Sequence, residues 1–149
     1  MKITDVLRAE HAVFRNLFDH VEQALPRLRT LAEVKILAAA LEKITATHSQ
    51  TEDELFIAPL EYCFDQIGQK ETFHHEHELI DDLLAQVSTA RDLRTARKIL
   101  LNAVAASRKH CDKEERIVFP MAEAILKSKT LNDLGTTWLK RRPICNESK

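Results

Sequence analysis

His48-Ser-Gln-Thr-Glu-Asp-Glu-Leu-Phe-Ile-Ala-Pro59 in the first half of the chain and His110-Cys-Asp-Lys-Glu-Glu-Arg-Ile-Val-Phe-Pro120 in the second read as two copies of one passage. Each opens on a histidine and places a glutamate four residues on, Glu52 and Glu114. On a helix that spacing puts both side chains on one face, a turn apart, where they can reach the same metal centre. Upstream, a Glu-His pair also occurs twice, as Glu10-His11 and Glu76-His77. The chain therefore reads as a duplicated unit. Two such units facing each other would supply four imidazoles and two carboxylates.

The surrounding sequence is helical in character. Glycine occurs only 2 times in 149 residues, strong helix formers abound, and no segment alternates apolar with polar residues as a half-buried strand does. The expected fold class is all-α: an up-down-up-down four-helix bundle with a short C-terminal fifth helix. The length suits a single domain spanning 1–149, with the bundle over about 4–127 and the last helix and tail over about 130–149. Helix one is expected from Thr4 to Leu25, where Pro26 stops it, and helix two from the capping box Thr30-Leu-Ala-Glu33 to Ile57, before Pro59. A loop around Tyr62 to Gly68 leads to helix three, Gln69 to Ala90. Helix four starts near Asp92 or Thr95 and reaches Pro120, resuming to about Lys127. The fifth helix covers Thr130 to Arg141.

Helical periodicity selects the residues that point inward. The stripes are Leu7, His11, Phe14, Phe18, Val21, Leu25 in helix one and Leu37, Leu41, Ile44, His48, Thr51, Leu55 in helix two. Helix three gives Phe73, His77, Ile80, Leu84, Val87, and helix four gives Ala103, Ser107, His110, Glu114, Ile117, Met121. One histidine interrupts each stripe, at a similar distance from its connecting turn, so all four can meet at one level. Burying them with two glutamates is costly unless their polarity is compensated, and a metal cluster compensates it.

Composition excludes several other functions. The 22 Lys plus Arg nearly cancel the 23 Asp plus Glu, with no basic block, so nucleic acid is not an expected partner. No apolar run approaches the roughly 18 residues of a membrane span, and Met1-Lys-Ile-Thr-Asp lacks the apolar stretch of a signal peptide. A soluble, cytoplasmic protein without a membrane partner is expected. Cys63, Cys111 and Cys145 are odd in number and form no C-x-x-C, against both a disulfide framework and a thiolate zinc site.

Imidazole and carboxylate ligands without thiolates favour iron, manganese or zinc, and two carboxylates among four imidazoles suit a bridged pair of metals. With one oxo bridge added, roughly ten of the twelve positions of two octahedral ions are filled, leaving about one open on each for a small exogenous ligand. Thr51 and Ser107, on the inner stripes, either hydrogen-bond such a ligand or are ordinary core residues. His74 with Glu78 and His77 with Asp81 repeat the spacing, but Glu78 and Asp81 fall on the polar side of helix three. His20 reads as solvated, His74 and His75 as exposed or outside the ligand set, and Cys111 as a small packing residue. Glu54 and Asp53 read as a solvated acidic face beside Glu52. Trp138 and Tyr62 carry no functional signal.

The ordered set of His, His-x-x-x-Glu, His, His-x-x-x-Glu on four helices resembles the hemerythrin-like, or HHE cation-binding, family. The likeness runs from about Asp5 to Met121 and includes the phenylalanine-proline neighbourhoods after the second and fourth helices. It implies a non-haem centre of two Fe ions, oxo- or hydroxo-bridged, with ligands at His11, His48, Glu52, His77, His110 and Glu114. A ferritin-like centre would need two Glu-x-x-His motifs, and only Glu71 to His74 offers one. Oxygen carriers of the family place a further histidine one turn before the helix-three ligand, where this chain has Phe73. The six-ligand set looks like that of bacterial di-iron proteins linked to nitric-oxide stress and iron–sulfur cluster repair, which usually carry a cysteine-containing N-terminal domain.

The expected function is binding of, or reaction with, a small oxidant: dioxygen, nitric oxide or peroxide. An enzyme would turn the oxidant over with an electron donor. An iron or oxygen sensor, or an iron-binding module, would bind without turnover and present a partner surface, with the Lys140-Arg-Arg142 cluster of the fifth helix as one candidate. Cluster repair and a metal-free structural bundle are the remaining alternatives.

Overall fold

The computed structural model describes residues 1–66 and 70–142, without the side chains of residues 63, 64, 66 and 70–74. The chain is an all-α, up-down-up-down bundle made by α1 (Ile3–Ala24), α2 (Leu31–Glu52), α4 (Lys70–Thr89) and α5 (Leu93–Lys113). Helix α2 continues through a π turn, Asp53–Ile57, into α3 (Ala58–Gln66), and α5 continues through a second π turn, Glu114–Val118, into α6 (Phe119–Ile125). Helix α7 (Ser128–Arg141) packs on α1, while α4 lies against both α2 and α5.

Local chemistry sets the boundaries. The Thr30 hydroxyl accepts from the Glu33 amide at 3.2 Å while the Glu33 carboxylate accepts from the Thr30 amide at 2.8 Å, the reciprocal pair that opens α2. Asp92 opens α5 by accepting from the Thr95 amide at 2.8 Å. Helix α1 begins earlier than expected: Thr4 is buried rather than capping, and the Asp5 carboxylate takes the Lys2 amide at 3.2 Å. Pro59 and Pro120 do not end their helices. Each stands in the first turn of the segment after a π turn, where the widened turn has already broken the regular α-helical ladder. The expected loop at Tyr62 to Gly68 is accordingly helical through Gln66. Residues 67–69, the side chains of Cys63, Phe73 and His74, and the tail from Pro143 with Cys145 lie outside the described residues.

The π turns also shift the register, because each adds one residue to its turn. Leu55 is only half-buried and Phe56 takes its inward place; Ile117 is 48% exposed and Val118 takes its place. In α2 the inner stripe is Val34, Ala38, Leu41, Thr45 and His48, so Ile44, expected inside, faces out at 42% exposure. Thr45 fits the interior because its hydroxyl donates to the Leu41 carbonyl at 3.1 Å. The stripes of α1 and α4 stand as expected from Leu7 to Leu25 and from His77 to Val87.

Two apolar cores result, with the polar residues between them. One gathers Phe14, Phe18, Val21, Leu41, Leu84, Val87 and Leu100 towards the α1–α2 and α4–α5 connections. The other joins Ile3, Leu7, Phe56, Leu60, Phe119 and Trp138 at the opposite end. Helix α7 closes this second core, and Gly135 is what allows its approach: a Cβ there would lie 2.4 Å from the Met1 carbonyl oxygen. Among the described residues no helix is long and apolar enough to cross a membrane.

Candidate metal centre

His11 from α1, His48 from α2, His77 from α4 and His110 from α5 meet between the two cores, all buried, and turn their Nε2 atoms towards one another and towards Glu52 and Glu114. The glutamates do not divide by half. Glu52 stands 3.4 Å from His48 Nε2 and 3.6 Å from His77 Nε2. Glu114 stands 3.1 Å from His110 Nε2 and 3.3 Å from His11 Nε2. Each carboxylate thus faces one imidazole from each copy of the repeat. Ligand atoms of Glu52, His77, His110 and Glu114 lie within 4.8 Å of one another, and so do those of His11, His48 and Glu114. One π turn begins directly after Glu52 and the other at Glu114, so each irregularity sits where a carboxylate is displayed, a common place for one.

A second ring of acids faces the outer nitrogens. His48 Nδ1 lies 2.7 Å from Glu10 and His110 Nδ1 lies 2.9 Å from Glu76. His11 Nδ1 is 3.1 Å from Glu115 and His77 Nδ1 is 3.1 Å from Asp53. An imidazole whose Nδ1–H donates to a carboxylate has its ring fixed and its Nε2 lone pair free, which is how metal-binding histidines are held. Phe119 stacks on the His11 ring at 5.5 Å, and Phe14 meets the His48 ring edge-on at 4.9 Å, so these two imidazoles are walled by hydrocarbon, whereas His77 borders an open polar cavity with Ser49, Gln50, Asp53 and Asp81.

The electrostatics calls for a cation. Burial alone would suppress imidazole protonation, but the Glu52 carboxylate and the Glu10 hydrogen bond outweigh it and lift His48 to about 9. Against the same burial, Asp53 and Glu52 lift His77 to about 10, and Glu114 and Glu76 lift His110 to about 9. Glu52 is fully buried, yet His48 and His77 hold it well below the usual carboxylate range. Both oxygens of Glu52, both of Glu114, and Nε2 of His11 and His48 are buried without a hydrogen-bond partner. Buried polar atoms left without a hydrogen bond are rare in a native interior, and here they converge. A metal ion satisfies imidazole and carboxylate lone pairs together, so these residues fit one.

The family model described as hemerythrin, HHE cation-binding domain, matches residues 2–122. The chain belongs to the hemerythrin HHE cation-binding family. No curated protein and no solved structure matches the chain. As a cation-binding domain, the chain carries its buried His and Glu cluster within the matched residues, while α7 lies beyond them.

All six residues expected from the sequence come together. Several of their neighbours were not expected. Asp53, read as part of a solvated acidic face, holds His77, whereas Glu54 is exposed and pairs with Arg141. Glu10 and Glu76 were visible as the first members of the repeated Glu-His pair, but nothing in the spacing gave them a role. Trp138, read as silent, is fully buried, donates its indole N–H to Glu10 at 2.8 Å and lies edge-on to the His48 ring at 5.5 Å. Arg141 and Arg142, read as part of a basic partner surface, turn onto Glu54 and Glu10 of the same chain. Cys111 is buried as expected, and burial pushes its thiol up, out of the reactive range. Thr51 and Ser107 donate their hydroxyl protons to the Thr47 and Ala103 carbonyls, at 2.7 and 2.8 Å, and so behave as core residues. His75 is exposed.

Proposed function

We propose that His11, His48, Glu52, His77, His110 and Glu114 hold two iron ions, and that the protein uses them to bind or react with a small oxidant: dioxygen, nitric oxide or peroxide. The observation that carries this reading is the sharing of each glutamate between imidazoles of opposite halves, the arrangement two bridging carboxylates require. A pair of non-haem irons held by these six side chains would supply one-electron redox chemistry and a place for a small ligand to bind. The protein's own part is to orient and to cover. Glu10, Asp53, Glu76 and Glu115 hold the four rings with Nε2 inward, and Phe119 and Phe14 cover the His11 and His48 rings.

Size favours a small ligand. Beside His48 and His110 lies a cavity of about 20 Å³, walled by Phe14, Phe18, Ile80 and Ser107. That is room for one water or one diatomic molecule. Phe73 stands in the sequence where the oxygen-carrying relatives place their additional histidine, which favours reaction over reversible carriage.

Stopped-flow absorbance tests this reading. Reduced, iron-loaded protein is mixed with oxygenated buffer, nitric oxide or hydrogen peroxide. Rapid one-way oxidation by oxygen or peroxide, or tight nitric oxide binding, is the expected result. An oxygen complex lasting minutes and reversed under vacuum would make the protein a carrier instead, and inertness to all three would leave iron binding alone.

A further inference from the structure

The two halves of the centre are supported differently, and the difference comes from α7, outside the family-matched residues. Glu76, which holds His110, is itself held within the bundle by Lys113, whose Nζ donates at 2.8 Å. Glu10, which holds His48, is held by α7 and by Arg142, the residue that caps its C-terminal end. Arg142 grips both of its oxygens, with Nε to Oε1 at 2.9 Å and Nη2 to Oε2 at 2.7 Å, and the Trp138 indole adds a third donor to Oε1 at 2.8 Å. Trp138 is fully buried with its ring edge-on to His48, and the Arg142 guanidinium lies over the Trp138 ring, 4.6 Å from its centroid. A planar fork engaging both carboxylate oxygens fixes orientation as well as charge, which a single ammonium does not. Gly135, seated on the Met1 and Lys2 backbone, anchors the same helix against the start of α1, two turns from Glu10 on the helix that carries it.

We propose that α7 is a strap for one half of the metal centre: through Glu10, Trp138 and Arg142 are positioning residues for His48, so that the ion held by His11 and His48 depends on the C-terminal helix while the ion held by His77 and His110 does not. The proposal rests on the two-iron reading above. It makes the two ions unequal despite their matching ligands, and it gives the segment beyond the cation-binding domain a function. Movement of α7 would free Glu10, let the His48 ring turn, and release one ion first.

Anaerobic titration of ferrous ion against a competing chelator, with metal analysis of each sample, separates the cases. Wild type takes two ions. Glu10→Gln sets the scale, weakening one ion by about 10–100-fold, the cost of losing an outer partner of a ligand histidine. Arg142→Ala should weaken one ion by about tenfold, near the lower end of that range, and leave the other at wild-type affinity. Trp138→Phe keeps the ring and loses only the donor, so it should give a smaller split. Arg142→Lys should recover part of the loss. Lys113→Ala should weaken one ion as well, and combining it with Arg142→Ala should weaken both. Trp138 is the only tryptophan, and its fluorescence, quenched by iron at the neighbouring imidazole, should reach half-quenching at correspondingly higher iron in Arg142→Ala. A merely structural α7 would lower the melting temperature of these variants without splitting the two affinities. Equal affinities for both ions in Arg142→Ala, or an equal loss of both, overturns the strap even if Glu10→Gln splits them. A wild type that fails to take two ions overturns the two-iron reading itself, and the strap falls with it.

Discussion

Glu10 and Glu76 each precede a central histidine, and each accepts the Nδ1 proton of the next helix's histidine, yet Glu10 is bound by Trp138 of α7 and by Arg142 at that helix's C-cap while Glu76 is bound by a lysine of α5. Closer to the centre the two halves correspond residue for residue in position. His48 and His110, Glu52 and Glu114, and Asp53 and Glu115 occupy equivalent places, with a π turn beginning just after Glu52 in one half and at Glu114 in the other. The two copies agree where six ligand atoms must converge and part company one layer out, where several donors serve a carboxylate equally well. Even the helix caps keep the correspondence in position but not in chemistry, Thr30 on α2 and Asp92 on α5.

The largest effect that would break this comparison is at the shared glutamates. Glu52→Gln and Glu114→Gln should each release both ions, because a bridge lost from one ion is lost from its neighbour; metal analysis of the purified variants checks this. If each variant kept one tightly bound iron, the halves would be independent sites rather than one centre.

Next in size comes the core beneath the π turns, where the copies differ in volume. Phe56 and Val118 hold equivalent inward places, both fully buried. Phe56→Ala should cost about 3–5 kcal/mol and Val118→Ala about 2 kcal/mol, read from denaturant unfolding of protein prepared with chelator. Equal losses would mean that the second apolar core is not shared evenly by the two continuations.

The smallest effect is at the caps. Thr30→Ala should lower stability by about 1 kcal/mol without changing iron content, since it frees one helix end far from the centre. A loss of iron in that variant would show that α2 is not rigid enough to place His48 independently of its start.

Most of the inner layer was legible because it obeys helical periodicity: His11, Phe14 and Phe18 on α1 and His77, Ile80 and Leu84 on α4 are where an apolar stripe puts them. Legibility failed where the backbone changes period. A π turn leaves no hydropathic signature, so Leu55 and Ile117 are expected one residue early and the second helix is expected to end before Pro59, which the turn accommodates, while the fourth resumes past Pro120 as its sequence suggests. It failed again for Ile44 against Thr45, because a threonine that bonds its own helix carbonyl is as good a core residue as an isoleucine. The outer acids were on the page as letters, but which histidine each one meets is fixed by helix packing: Glu10 serves His48 and not its neighbour His11. Trp138 and Arg142 lie some ninety residues beyond His48 in sequence, and no local spacing connects them to it.

The central claim is that two half-sites share two glutamates and hold two irons. Wild-type protein loaded anaerobically with ferrous ion, freed of loosely bound metal and analysed for iron per chain, tests it most directly. The account predicts two irons per chain, falling to none when His48 and His110 are both replaced by Ala while the helical signal persists. One iron per chain in the wild type, or an undiminished two in the double variant, would contradict it.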